Sequence, residues 1–159
     1  MRKWGGLRVL RLLAAALVGA ALATLAFAQT ATVVDGDTIK LNGITYRLWG
    51  IDAPERDQWC GDYRAGALAV AALAVLVRGS AVVCESKTTD RYGRVVAICR
   101  ADGDDLGLSM VEVGMALAFT RYSRDYVSVE AWARDRNIGV HAMKCEPPWE
   151  WRARARAKK

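Results

Sequence analysis

A chain of 159 residues, 53% of them hydrophobic, can bury one core and is too short for two domains. Its 23 basic and 17 acidic residues sum to +6, but four basic residues precede Leu12 and five follow Trp151, leaving 14 basic against 17 acidic, or −3, from Gln29 to Trp151. A body of that sign excludes the broad basic face of a protein that holds nucleic acid by charge alone; an anionic substrate would need a few placed arginines, a metal ion or the tail.

The chain opens with Arg2, Lys3, Arg8 and Arg11, then the apolar run Leu12–Phe27, then Ala26-Phe27-Ala28. A positive head, an apolar middle and an A-x-A exit predict a secretory leader over 1–28, cut before Gln29. The rival reading is a membrane anchor, for which 16 apolar residues fall short of the roughly 20 that span a bilayer. The expected product is secreted or periplasmic, monomeric and without stable membrane association after cleavage. It comprises one domain over 29–151 and a basic tail over 152–159.

Thr32–Lys40 is rich in β-branched residues and predicts a strand, and Asn42-Gly43 predicts a hairpin turn that returns Ile44–Trp49 onto it. Asp52-Ala53-Pro54-Glu55 ends the sheet run, because proline lacks the donor a central strand needs. A helix is expected from Tyr63 to Val77, capped by Asp62 and stopped at Arg78-Gly79. Two strands follow, around Cys84 and Cys99, joined through Asp90-Arg91-Tyr92-Gly93. Asp104 or Asp105 can cap a helix over Leu106–Val113, and Asp125 another over Tyr126–Arg136 with Tyr126, Val129, Trp132 and Ala133 on one face. This order indicates an α+β domain with about three helices, in which five short strands hide their edges in a closed or nearly closed barrel.

Cys60, Cys84, Cys99 and Cys145 all lie in the exported part, and an even count there reads as two disulfides with three possible connectivities. Closing the turn by pairing Thr89 with Arg94 sets Cys84 opposite Cys99, within bridging distance across antiparallel strands. Cys60 and Cys145 are then left to each other. A zinc site is the alternative, but the spacing has no CxxC and the chain has one histidine, His141, beyond the third helix.

Two segments concentrate charge inside apolar strands: Val34-Asp35-Gly36-Asp37-Thr38-Ile39, and Arg47 through Glu55. A hard divalent cation such as calcium wants several oxygen ligands, carboxylates among them, and the hairpin brings Asp37 and Asp52 together. Glu55 follows a proline turn into the same region. Arg47 carries a fork of donors matched to a phosphate, with a charge it keeps at any ordinary pH. Each fragment alone also reads as an ordinary turn, loop or surface ion pair.

Taken with Thr89-Asp90-Arg91-Tyr92-Gly93-Arg94, Gly114-Met115-Ala116-Leu117-Ala118 and Pro148-Trp149-Glu150-Trp151-Arg152, these segments resemble the thermonuclease (staphylococcal nuclease) family in order and spacing, from about Thr32 to Trp151. The resemblance implies an OB-type five-stranded barrel with packed helices, and a calcium-dependent endonuclease of low sequence specificity acting on DNA and RNA. It implies Asp37, Asp52 and the Ala53 carbonyl as calcium ligands, Glu55 as general base or orienter of the water, and Arg47 and Arg94 on the scissile phosphate. Ala53 stands where some members have a hydroxyl residue, and the loop after Glu55 carries one cysteine where relatives often have a local pair. Tyr122 and Tyr92 are the candidate substrate-binding aromatics; in a small barrel, Tyr92 and Trp49 would more commonly belong to the core. The rival from another class is the same fold without catalysis, a nucleic-acid-binding module. The tail either adds phosphate contacts or frays into solvent.

Overall fold

The computed structural model describes residues 31–158, so the expected leader lies outside the described residues. Strand β1 (Thr32–Asp35) turns at Gly36-Asp37 into β2 (Thr38–Leu41), which pairs antiparallel with β1. The single strand expected over Thr32–Lys40 is thus a hairpin. The β-branched run hides its own turn, where the Asp35 carboxylate accepts the Gly36 amide at 2.9 Å. Asn42 and Gly43, with φ of 52° and 81°, form the expected second turn into β3 (Ile44–Leu48). The register sets Leu41 opposite Ile44 and Thr38 opposite Arg47, so β3 pairs with β2, the second arm of that hairpin.

After β4 (Ile51–Asp52), helix α1 runs from Ala65 to Val77 and buries Ala65, Ala69, Leu73 and Val77, one residue per turn. It begins two residues later than expected, and no side chain caps it. The backbone of Tyr63 is already committed, exchanging hydrogen bonds of 2.9 and 3.1 Å with Cys60. Strands β5 (Val82–Thr89) and β6 (Val95–Ala101) form the long hairpin, with the short β7 (Asp104–Asp105) paired on the far side of β6. Helix α2 (Leu106–Glu112) is capped by Asp105, whose carboxylate accepts the amides of Gly107 and Leu108. Strand β8 (Leu117–Ala118) pairs with β4, setting Asp52 opposite Leu117.

Helix α3 (Val127–Asp135) starts without the expected Asp125 cap; the Asp125 amide instead donates to the Ser123 hydroxyl. Its expected face is half right: Tyr126 and Ala133 are buried, whereas Trp132 is 41% exposed. After a 3₁₀ turn at Gly139–His141, helix α4 runs from Pro148 to Ala157. The chain expected as a tail is therefore the continuation of a helix begun by proline at its first turn.

The main sheet is mixed, in the order β1-β2-β3-β6-β5, with β3 parallel to β6 and the other pairs antiparallel. Ile39, Leu48, Leu73, Val96, Leu106 and Met110 fill the core between it and the helices. The α+β class holds, with four α-helices among the described residues instead of about three. The closed five-stranded barrel does not: among the described residues no ladder joins β1 to β5, and β4 and β8 form a separate pair.

Both cysteine pairs sit at bonding distance, Cys84 with Cys99 and Cys60 with Cys145. The register behind the first pair differs from the expectation. Thr89 faces Val95, one residue off, and a bulge between Ser86 and Thr88 restores Cys84 opposite Cys99.

Candidate active site

The turn between β1 and β2 presents Asp37, and tight packing fixes that turn. A Cβ built on Gly36 would lie 2.7 Å from the Ala69 methyl of α1 and 2.8 Å from that of Ala53, so only glycine fits. The Asp37 carbonyl accepts the Leu48 amide at 2.8 Å, and its carboxylate accepts the Thr38 hydroxyl at 2.8 Å. These bonds lock the turn to the end of β3, where Arg47 is buried.

The Arg47 guanidinium sits between two carboxylates. Nη2 lies 2.7 Å from Oδ1 of Asp52 and 3.0 Å from Oδ2 of Asp37, and Nη1 donates to the Ile51 carbonyl at 2.9 Å. Asp52, on β4, is fully buried. A second arginine reaches it from α4. Arg152 bonds Asp52 in bidentate fashion, Nη2 to Oδ2 at 2.7 Å and Nη1 to Oδ1 at 3.1 Å, and Nη1 also donates to Oε1 of Glu55 at 2.5 Å.

Glu55 is held through its backbone. Its amide donates to the Gln58 side chain at 3.2 Å, and its carbonyl accepts the Gln58 amide at 2.7 Å. The N-terminal turn of α1 presses on the same carbonyl, which lies 1.9 Å from where a Cβ on Gly66 would be. Gln58, 1% exposed, donates onward to the Glu146 carbonyl at 2.7 Å, joining this loop to the segment before α4 beside the Cys60–Cys145 bridge.

The opposite wall is the β5–β6 turn. Asp90 accepts the amides of Tyr92 and Arg94 at 2.9 and 3.0 Å and the Arg94 Nε at 2.7 Å. Tyr92 is 71% exposed, with the Arg91 and Arg94 guanidinium groups 5.3 and 5.7 Å from its ring centroid, so it is not a core residue. Tyr122 stacks on Trp49 at 5.4 Å, and Arg47 lies 5.9 Å from the rings of both Tyr122 and Phe119. One open cleft of about 750 Å³ runs between the two walls, lined by Asp37, Arg47, Glu55, Arg94, Tyr92 and Tyr122 among others. Asp52 lies behind that lining, and Ala53 is buried under Gly36.

Burial raises the pKa of Asp52; the hydrogen bond from Arg152 works against that rise, and the charge of Asp37 adds to it. Burial also raises Asp35. Burial opposes the charge on Arg152, but its bonds to Asp52 and Glu55 outweigh that and hold it protonated more firmly than a free arginine. His141 stands elsewhere, and burial lowers its pKa.

The donor set suits a hard cation. Asp37 and Asp52 converge on a single positively charged nitrogen, Nη2 of Arg47, so both carboxylates already serve one cationic centre. Among the described residues no group of three or more His, Cys, Asp or Glu is arranged for a metal. An ion held here would complete its shell with carbonyl and water oxygens.

Four of the five expected side chains (Asp37, Arg47, Asp52 and Glu55) thus form one cluster, and Arg94 faces the same cleft from a separate tether. Sequence reasoning missed Arg152 and Gln58. For Arg152 a signal existed: proline before an aromatic, charged run opens a helix, and its second turn carries the arginine. Gln58 offered none.

The family model described as staphylococcal nuclease homologue matches residues 45–142, and the chain belongs to that family. It is similar to the succinoglycan biosynthesis protein ExoI of Rhizobium meliloti, at 36% identity over 118 residues, covering 69% of this chain and 62% of that protein. It is similar to protein ParB of Escherichia coli, at 31% identity over 164 residues, 87% of this chain and 88% of that one. A protein of Haemophilus influenzae named an uncharacterized endonuclease is 33% identical over 128 residues, 76% of this chain and 69% of that one. The chain therefore spans less than two thirds of the Rhizobium protein's length. Family and relative support a nuclease-like function.

Proposed function

We propose that the protein is an exported, calcium-dependent endonuclease that hydrolyses phosphodiester bonds of DNA and RNA with low sequence specificity. The observation that carries this reading is one cleft lined by Asp37, Glu55, Arg47 and the separately tethered Arg94, with the buried Asp52 bonded to Arg47 directly behind it. The reading includes the OB-like fold of the family in an open form, made by the mixed sheet and the separate β4–β8 ladder.

Asp37, Asp52 and the Ala53 carbonyl would hold one calcium ion. When bound, it supplies a Lewis-acid contact and a template for the phosphate, without the potent hydroxide that zinc can generate. Arg47 and Arg94 place fixed positive charge where the five-coordinate phosphorus builds negative charge, the effective form of catalysis for such a step. Glu55 accepts a proton from the attacking water as the water oxygen bonds to phosphorus; the bond to the 5′ oxygen breaks, that oxygen takes a proton from solvent, and the products are a 3′-phosphate and a 5′-hydroxyl. Tyr92 and Tyr122 offer ring faces to bases beside the scissile bond.

The test is hydrolysis of single-stranded DNA by the oxidised chain 29–159, with millimolar calcium, with chelator, and as Glu55→Gln. Cutting that requires calcium and falls about 10²–10⁴-fold in the variant is the expected result for a lost general base. Salt-sensitive DNA binding without cutting by the wild-type protein would replace the enzyme with a non-catalytic binding module.

A further inference from the structure

Both oxygens of Asp52 are already engaged. Oδ1 takes Arg47 at 2.7 Å and Arg152 at 3.1 Å, and Oδ2 takes Arg152 at 2.7 Å. An ionised carboxylate has about four acceptor sites, so most of those on Asp52 are spent on guanidinium groups. Arg152 holds Glu55 as well, at 2.5 Å, so one side chain occupies both the buried carboxylate of the pair and the carboxylate assigned to the water.

The carrier of Arg152 is anchored separately from this contact. Pro148 at the start of α4 is buried, Trp149 packs its ring 5.8 Å from that of Phe119, Arg154 bonds Glu146 at 2.7 Å, and the Cys60–Cys145 bridge lies just before the helix. The Arg152 side chain itself is 31% exposed, and it borders the cleft with Arg47. It can leave the carboxylates by rotating its own bonds while α4 stays in place.

We infer that Arg152 is an internal counter-ion which a divalent cation must displace from Asp52 and Glu55, and that the released guanidinium becomes a third phosphate-binding arginine in the cleft. This rests on the reading that Asp37 and Asp52 hold calcium. Arg152 bonds both oxygens of Asp52, so a cation that takes either oxygen competes with it for the same lone pairs and binds more weakly by each Arg152 bond it breaks. Once released, Arg152 lies beside the substrate phosphate with Arg47. Cation and nucleic acid then bind with positive coupling, and the coupling is reciprocal.

The test measures two affinities that move in opposite directions. Calcium binding is read by isothermal titration calorimetry on oxidised chain 29–159, without nucleic acid, for wild type, Arg152→Met, Arg152→Lys and Arg154→Ala. Binding of a phosphorothioate single-stranded DNA is read by anisotropy, with and without calcium. Arg152→Met is expected to bind calcium about tenfold more tightly, the equivalent of one charge-assisted hydrogen bond no longer broken. It is expected to bind the DNA about tenfold more weakly with calcium present, and to lose most of the calcium enhancement. Arg152→Lys keeps the charge without the fork and falls between; it carries the same test if the Met variant does not fold. Arg154→Ala, on the same helix, matches wild type in both.

A purely structural Arg152 would weaken both affinities when removed, and that outcome overturns the inference. Equal calcium affinity in wild type and Arg152→Met overturns it too, while leaving the calcium reading intact. No calcium binding by any of the proteins overturns both.

Discussion

The two walls of the cleft hold their arginines by different means. On one wall Arg47 is buried between Asp37 and Asp52, with carbonyl partners besides. On the other, Arg94 is held by Asp90 four residues away, in a turn whose Tyr92 is largely exposed. The first arrangement preorganises a charge at the cost of removing three ions from water; the second holds its charge within one turn, by a partner four residues away. One wall therefore couples function to stability, and the other separates them.

The sharpest way to break that comparison is to truncate each arginine in turn. Arg47→Ala leaves two converging carboxylates short of their shared partner and is expected to destabilise the fold by about 3–5 kcal/mol, as for other broken buried pairs. Arg94→Ala is expected to cost about 1 kcal/mol, the net value of one hydrogen bond, because Asp90 keeps the Tyr92 and Arg94 amides. Both should abolish most nuclease activity. Urea unfolding beside DNA hydrolysis reads the two effects; equal destabilisation by the two variants would end the distinction.

The disulfides extend the contrast. Cys60–Cys145 closes a separation of 85 residues and anchors the loop of Glu55 and Gln58 against the segment before α4, whereas Cys84–Cys99 closes 15 within one hairpin. Replacing the first pair with serine should cost about 4–5 kcal/mol and the second about 3 kcal/mol, since the entropy lost from the unfolded chain grows with loop length. Thermal unfolding of the two double variants measures the difference.

Tyr92 sharpens the picture of the exposed wall. Tyr92→Ala should weaken single-stranded DNA binding by about 1–3 kcal/mol, the value of one base on an aromatic face, and leave stability unchanged. An unchanged affinity would remove Tyr92 from the substrate path and leave Tyr122, stacked on Trp49, as the remaining candidate.

What the sequence disclosed divides along the same lines. Asp37, Arg47, Asp52 and Glu55 fall within 19 consecutive positions, and hairpin rules convert such spacing into proximity. The turn at Asn42-Gly43 and the Asp105 cap are equally local. Where inference needed register, it depended on compensation: the Thr89 pairing was off by one residue, and a bulge at Lys87 returned the cysteines to one another. Arg152 and Gln58 act across 100 and 88 residues. No period or cap motif carries contacts of that range, so a helix that reaches the site was read as a tail. The β1–β2 turn was missed for the opposite reason, because a strand-forming composition surrounds it on both sides.

The smallest effect tests whether Asp90 acts through its charge. Slight burial works against its ionised form, but the bonds from Arg94 and from the Arg94 and Tyr92 amides outweigh it, and the pKa lies below the usual 3.8. A carboxylate with a depressed folded-state pKa stabilises the fold above its unfolded value and loses that contribution as pH falls through the folded value. The β5–β6 turn should therefore keep its geometry through pH 4 and loosen only below that, and an NMR titration of the Asp90 carboxyl should give a midpoint under 3.8. Asp90→Asn keeps the amide acceptor but loses the ion pair. It should lower turnover by about tenfold, one charge-assisted bond's worth of positioning, and remove at neutral pH the small stabilisation that the depressed pKa represents. If turnover is unchanged in Asp90→Asn, Arg94 reaches the phosphate without its tether, and the exposed wall is organised by the substrate.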